Sequence, residues 1–348
     1  MEKVRNYISC IVSKLGIKNH EVLVLPSRIE IKLESEPTPY YTSFSSTSDY
    51  DFMYSVGLVA LYEKINQNVE EIIVDTTHGI NYFTIMTQLL ARDLASILSV
   101  KQRETKVKVS YYNAIPKTIG EFLMAKVYSD AKPSIRALDQ LSNNELRIAY
   151  NTLNYNAPLA LVYFLKEFNE KIPKLDEIYS KVKLSEEQGK LRVDYNLIGQ
   201  GVKKMNDTYL KLLMRTIKDN FNVNGDVSVK LLRDITDIVY KLISEASSSI
   251  IIRELDKLFN CVRDNAEMIA SKGKVNYKDI YPMCTQSNTG EAQGCEEVLS
   301  EDNKRNFIAH GGLLEEIVEI KVTNEVSKEN IFLSYGKCWE KVKEFLSK

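Results

Sequence analysis

Histidine is scarce in this chain, with three residues in 348. Net charge is nearly absent as well: 46 basic side chains stand against 47 acidic ones, for a formal charge of -1. No global positive field advertises nucleic acid, so a phosphate ligand has to be met by a local patch or by backbone N–H groups. No apolar run approaches the roughly 20 residues that a spanning helix needs. The N-terminus, Met1-Glu2-Lys3-Val4-Arg5-Asn6-Tyr7, has no signal-peptide core. Both absences predict a cytoplasmic protein without a membrane partner. No G-x-G-x-x-G and no glycine-rich loop ending in Lys-Ser/Thr occurs, which argues against a dinucleotide cofactor and against P-loop ATP hydrolysis.

Five cysteines in this length are too few for a disulfide framework. Cys10, Cys261 and Cys338 lie in apolar periodic stretches and read as small core residues. Cys284 and Cys295 bracket a polar loop just ahead of Arg305, either as a staple or as two free thiols. No C-x-x-C or nearby histidine completes a zinc site, so no metal is expected.

What is present divides into two halves. Residues 2–15 have a helical apolar period, and Glu21-Val22-Leu23-Val24-Leu25 reads as a short buried strand. A helix over 51–68, a strand Glu71–Asp75, a helix over 82–98 and a strand over 106–112 follow. Strands spaced by helices of this length predict a parallel sheet with helices on its faces. The second half reads as nearly all helix: one from Pro158 towards Glu170, one over 206–221, a long one over 226–270 that Ser247-Ser248-Ser249 could bend, and a last one over 328–345. The predicted division is 1–155 and 156–348.

Two of the three histidines fall in short motifs. In Arg305-Asn306-Phe307-Ile308-Ala309-His310, with Ser300 as helix cap, Asn306 and His310 share a face and Arg305 flanks it. Histidine is suited to proton transfer near neutral pH, and arginine to the charge that builds on a phosphate. Asparagine could hold the imidazole or a water. That set fits attack by a ribose 2′-hydroxyl on the adjacent phosphorus without a metal. The plainer alternative is a capped surface helix whose arginine pairs with an acid. In Asp75-Thr76-Thr77-His78-Gly79-Ile80-Asn81 a strand runs into a turn and then a helix, which is where α/β sheets hold ligands. Thr76, Thr77, His78, Gly79 and Asn81 are candidate contacts, as are Ser27 and Asn113 at other strand ends and the loop at 43–48. A tight strand-to-helix turn capped by Thr77 is the plainer alternative here.

Asp75-x-Thr77-His78-Gly79-x-Asn81 after a strand, then an all-helical half carrying Arg305-x-x-x-x-His310, resembles the CRISPR-associated CARF–HEPN ribonucleases of type III systems. Tyr155-Asn156-Ala157-Pro158-Leu159 looks like that family's junction between domains. The resemblance implies a Rossmann-like α/β N-terminal domain (CARF), an all-α C-terminal domain (HEPN) and a homodimer open to higher assembly. It implies that a cyclic oligoadenylate, usually cyclic tetra-adenylate, binds the first domain and activates cleavage of single-stranded RNA in the second. Arg305, Asn306 and His310 would then be catalytic, and Thr77, His78, Gly79 and Asn81 would lie at the activator. Lys304 and Arg305 would carry a modest, salt-sensitive affinity for RNA. Family members begin with a strand and a glycine- or serine-containing loop, whereas this chain begins with a helix, so that either the sheet lacks its first strand or the start codon is placed downstream. Two other readings remain: a ligand-binding regulator whose helical half only makes interactions, and a ring nuclease that cleaves its own activator.

Overall fold

The run Phe52-Met53-Tyr54-Ser55-Val56-Gly57-Leu58-Val59-Ala60 is apolar on every side, and it forms a helix, Tyr50–Lys64, in which the whole run is buried. A computed structural model describes residues 2–23, 30–32, 43–46, 50–65, 68–77, 81–104, 107–118, 121–169, 171–180, 183–187, 190–194, 204–285, 294–323 and 325–348. The chain forms two compact units. One comprises residues 1–94, 109–129 and 170–212; the other comprises 95–108, 130–169 and 213–348.

In the first unit the expected strand Glu71–Asp75 forms and neighbours the strand Lys108–Thr118, which in turn neighbours Glu121–Ala131. The same unit holds the buried helix Tyr50–Lys64 and the first part of the helix that opens at Asn81. Two polar contacts lie buried inside this unit: the Tyr54 hydroxyl donates to the buried Asp93 carboxylate, and Thr208 donates to Ser55 at 2.9 Å. Strands Glu30–Lys32, Ser43–Ser46, Lys190–Asp194 and Lys183–Glu187 build a second sheet, and its 43–46/190–194 pair is parallel. Glu21, Val22 and Leu23 form no strand, contrary to expectation, and residues 24–25 lie outside the described residues. The helix Glu2–Lys14 forms, but Ile8, Ile11 and Leu15 of its apolar side are exposed, and Cys10 is an exposed free thiol rather than a core residue.

The expectation about long apolar runs needs correction. Phe83–Gln102 is long and apolar enough to cross a membrane by length and composition. Its charged Arg92, Asp93 and Lys101 interrupt the run in sequence and hid it. Leu94 to Val100 is buried throughout, as in the core helix of a folded domain.

The second unit is helical but not all helix. Its first helix, Asn144–Asn154, is capped by Asn143, whose side chain accepts from Leu146 N–H at 2.8 Å. It packs on the C-terminal helix Trp339–Ser347, and the buried Asn151 amide donates to Leu346 O at 2.8 Å. Pro158–Glu167 and Met205–Asn220 form as read. The long helix expected over 226–270 is a succession of pieces. A strand Val227–Ser228 precedes Val229–Ile235, a π-helical turn Thr236–Tyr240 and a short Lys241–Ile243 segment. The break falls at Ser244, which is extended and caps Glu245–Asp264, so the later serines do not bend the helix. The last expected helix is also shorter. Ile331–Ser334 is a strand, and the helix begins only at Trp339. With Glu319–Val322, Lys274–Asn276 and Val227–Ser228 it makes an antiparallel four-stranded sheet. The register aligns Val227, Leu333, Ile320 and Val275 in one row, and all are buried. One face therefore meets the core, as period-two alternation requires.

The cysteines pair differently from either alternative read in the sequence. Cys295 is bonded to Cys338, across 43 positions of sequence, rather than to Cys284. Cys261 is disulfide-bonded as well. Both Cys261 and Cys338 are buried as expected, but as bridge members and not as lone core thiols.

Candidate active site

The motif Arg305–His310 occupies a helix of six residues, Lys304–Ala309, with His310 as its C-terminal cap. Ser300 does not cap it. A 3-10 turn, Glu301–Asn303, intervenes, and Asn303 stands at the cap with its amide donating back to Glu297 O at 2.9 Å and no capping bond to the helix. So short a helix has little stability of its own and has to be held by packing. Phe307 supplies the anchor. It is fully buried, and its ring lies 5.1 Å from that of Phe345. Lys304 places its ammonium 4.6 Å from the centre of the Tyr155 ring.

Two glycines then turn the chain. Gly311 and Gly312 have positive φ of 61° and 69°, a region that side chains make costly. A Cβ on Gly311 would meet Asn156 O at 3.3 Å. One on Gly312 would meet the Ala157 Cβ and the Tyr335 hydroxyl, each at 3.0 Å. The Tyr335 hydroxyl donates to Gly312 O at 2.9 Å. Tyr155-Asn156-Ala157, singled out as a junction motif, is thus the seat for the turn after His310. Asn156 itself has positive φ, at 56°.

His310 meets a residue that the sequence reading missed. Its Nδ1 lies 3.0 Å from Glu254 Oε2, in the middle of the Glu245–Asp264 helix. Glu254 Oε1 accepts from Arg253 Nε at 3.1 Å and Lys257 Nζ at 3.0 Å. The Glu254 side chain is 9% exposed and that of His310 is 40% exposed. Burial pushes the Glu254 carboxyl up, but the bonds from His310 and Lys257 and their charges outweigh it and hold the group down at about 2. Glu254 is therefore an anion across the working pH range. An anionic acceptor at Nδ1 keeps the proton on that nitrogen and leaves Nε2 as the basic one. The signal in the sequence was a charge on an apolar stripe: Glu254 shares a face with Ile251, Leu255, Leu258 and Cys261, all buried.

Asn306 and His310 line one cleft of about 180 Å³ with Glu254, Tyr277, Tyr281 and Glu315. Arg305 is not in that lining and is exposed on the same helix. The structure thus brings together two of the three residues singled out, adds Glu254, and leaves Arg305 at the rim of the motif. Among the described residues no group of three or more His, Cys, Asp or Glu side chains could hold a metal ion.

The N-terminal motif is described in part. Thr76 N–H and its hydroxyl both donate to Tyr112 O, at 2.9 and 3.0 Å. Thr77 donates its hydroxyl to Asp75 and accepts from Ala114 N–H at 2.7 Å. Both hydroxyl protons are thus given to protein groups, and the turn is tied to the neighbouring strand. Asn113 is half-buried on that strand. Asn81 opens the Asn81–Gln102 helix. Ser27, His78, Gly79 and residues 47–48 of the loop lie outside the described residues.

Comparison with known proteins bears on both motifs. The family model described as the CARF domain of the CRISPR system endoribonuclease Csx1 matches residues 1–116, which include Asp75–Asn81 and Asn113. The model of the HEPN domain of the same endoribonuclease matches residues 244–337, which include Glu254 and Arg305–His310. The CRISPR system endoribonuclease Csx1 of Methanocaldococcus jannaschii is 24% identical, over 96% of this chain and 75% of its own length. Two domain matches in the expected order, and a likeness along nearly the whole chain, make this an endoribonuclease that belongs to the CRISPR-associated CARF–HEPN family.

Proposed function

We propose that this endoribonuclease cuts single-stranded RNA without a metal, and does so when a cyclic oligoadenylate, cyclic tetra-adenylate first, binds its N-terminal domain. The observation that carries the chemistry is the His310–Glu254 contact. With Nδ1–H donating to a buried carboxylate, Nε2 is the nitrogen that accepts a proton from a ribose 2′-hydroxyl. The 2′-oxygen then attacks the adjacent phosphorus. Asn306, on the same cleft, holds the hydroxyl or a water. Arg305 meets the phosphate charge with an exposed guanidinium on the turn beside it. None of these roles needs a metal, and the nearby carboxylates are engaged by cations or lie beside one another.

The CARF match supports an activator site near Thr76, Thr77, His78, Gly79, Asn81, Ser27 and Asn113, in a Rossmann-like sheet. Because the hydroxyl and N–H groups of both threonines donate inward, the N–H groups at the start of the Asn81–Gln102 helix are the natural donors to a phosphate there. We take the sensing domain as 1–155, the nuclease domain as 156–348, the functional form as a cytoplasmic homodimer, and the setting as type III CRISPR defence. The test is cleavage of a labelled single-stranded RNA in EDTA with and without cyclic tetra-adenylate. Cutting only with the activator is expected. Cutting at one rate in both conditions refutes the gate, and loss of cutting in EDTA refutes the metal-free chemistry.

A further inference from the structure

The cleft holds one acid that the scheme above leaves idle. Glu315 lines it together with Asn306 and His310. Its backbone is fixed, since its carbonyl accepts from Lys278 N–H at 3.0 Å and the preceding Leu313 and Leu314 are buried. Its Oε2 is buried and has no hydrogen-bond partner among the described residues. An ionised carboxylate ordinarily collects several donors, and a buried one without them is costly. The groups facing Glu315 do little to help. Glu316 adjoins it, Glu254 stands on the long helix, Tyr277 and Tyr281 come from the Tyr277–Thr285 helix, and among the described residues lining the cleft only His310 can offer positive charge. Burial and the Glu316 charge push the Glu315 carboxyl up to about 7, with His310 offsetting part of the rise. The unpaired oxygen and the like-charged neighbours point the same way: near neutral pH this carboxyl carries a proton much of the time.

We propose that Glu315 is the acid of the reaction, giving its proton to the ribose 5′-oxygen as that oxygen leaves phosphorus. The proposal rests on the ribonuclease reading above. His310 takes the 2′-hydroxyl proton, the 2′-oxygen bonds to phosphorus, the P–O5′ bond breaks, and the departing oxygen takes the proton from Glu315. The products are a 2′,3′-cyclic phosphate and a 5′-hydroxyl. His310 ends protonated and Glu315 ionised, and solvent carries one proton from the first to the second before the next turnover. Two titratable groups held apart in their proton affinity thereby divide the base and acid roles.

The test is single-turnover cleavage, with cyclic tetra-adenylate and EDTA present, of an RNA linkage with either oxygen or sulfur at the 5′-bridging position. A thiolate leaves without needing a proton. Glu315→Gln is expected to cut the oxygen linkage about 100-fold more slowly and the sulfur linkage at the rate of the unmodified protein, whereas His310→Ala is slow on both. On the oxygen linkage the unmodified protein loses rate above about pH 7 as the acid ionises, and Glu315→Gln lacks that limb. Should Glu315→Gln fold poorly, Glu316→Gln serves instead, since removing the neighbouring charge moves the limb to lower pH. Full-rate cutting of the oxygen linkage by Glu315→Gln overturns the proposal. So does equal loss on both linkages, or a limb unmoved in Glu316→Gln. Each of these leaves the nuclease reading standing as long as His310→Ala is inactive. An unmodified protein that cuts neither linkage overturns both.

Discussion

Replacing Glu254 by glutamine removes a charge and keeps the shape, and the surrounding bonds dictate the consequence. Arg253 and Lys257 both donate to Oε1, while His310 contacts Oε2. A glutamine in this place keeps its carbonyl towards the two cations and turns its NH2 towards His310. Nδ1 must then accept, the imidazole proton moves to Nε2, and the nitrogen needed as base is blocked. The net fall of the Glu254 carboxyl from 4.5 to about 2 corresponds to about 3 kcal/mol, which its partners supply together beyond what offsets burial. With His310 40% exposed, its part is about 1 kcal/mol after screening by water. Loss of charge alone therefore predicts about a fivefold slower reaction, whereas the wrong tautomer predicts 10²- to 10⁴-fold. The assay is single-turnover RNA cleavage with cyclic tetra-adenylate in EDTA, beside circular dichroism to show that the fold is kept. A Glu254→Gln protein that is folded and cuts within threefold of the unmodified rate refutes the assignment. Adding Lys257→Ala and Arg253→Ala frees the amide to rotate, and about tenfold of the lost rate should return.

Three further outcomes follow from the same geometry. Gly312→Ala places a methyl 3.0 Å from the Ala157 Cβ and the Tyr335 hydroxyl at a positive φ of 69°. It should cost about 2–4 kcal/mol in urea unfolding and slow cleavage by shifting His310. Replacing Cys295 and Cys338 together by alanine opens a bridge that closes a span of 43 positions around the motif and should lower stability by up to about 4 kcal/mol, read as a drop in Tm; an unchanged Tm would show that the bridge does not hold the fold. For Glu315 the folded-state proton affinity is raised, so the unfolded chain releases the proton at lower pH than the folded one. Stability on this account is full below pH 4.5 and lost as pH rises to about 7. Glu315→Gln should therefore raise the Tm at pH 8 and leave it unchanged at pH 4; a lower Tm at pH 8 contradicts the burial argument.

The sequence disclosed the elements that repeat a period over several turns and hid the short ones. Asn81–Gln102 and Met205–Asn220 are long enough for their apolar period to decide, and in Tyr50–Lys64 the length of the apolar run does so. Ile331-Phe332-Leu333-Ser334 also fits a helix, and only its pairing with Glu319–Val322 makes it a strand. The same holds for the cysteines, whose partners are chosen by proximity in space: Cys295 and Cys338 have Cα atoms 5.7 Å apart. Nothing in their spacing favours that pair over Cys284–Cys295.

The candidate site divides along the same line. Arg305, Asn306 and His310 were legible because histidine is rare and the spacing is local. Glu254 was not, because its relation to His310 spans 56 positions of chain. Yet the local motif cannot place its own histidine. A helix of six residues with an uncapped start does not persist alone. Its position is imposed by Phe307 in the core, by the Asn156–Ala157 seat that only two glycines can enter, and by the disulfide that closes around it. These anchors do not line the cleft that holds Asn306 and His310, so a change in any of them should act through the angle at which Nδ1 meets Glu254. An Arg-x-x-x-x-His spacing found in another chain without an acid on a facing apolar stripe, and without small residues after the histidine, lacks what orients the imidazole here and suits it to the base role proposed above.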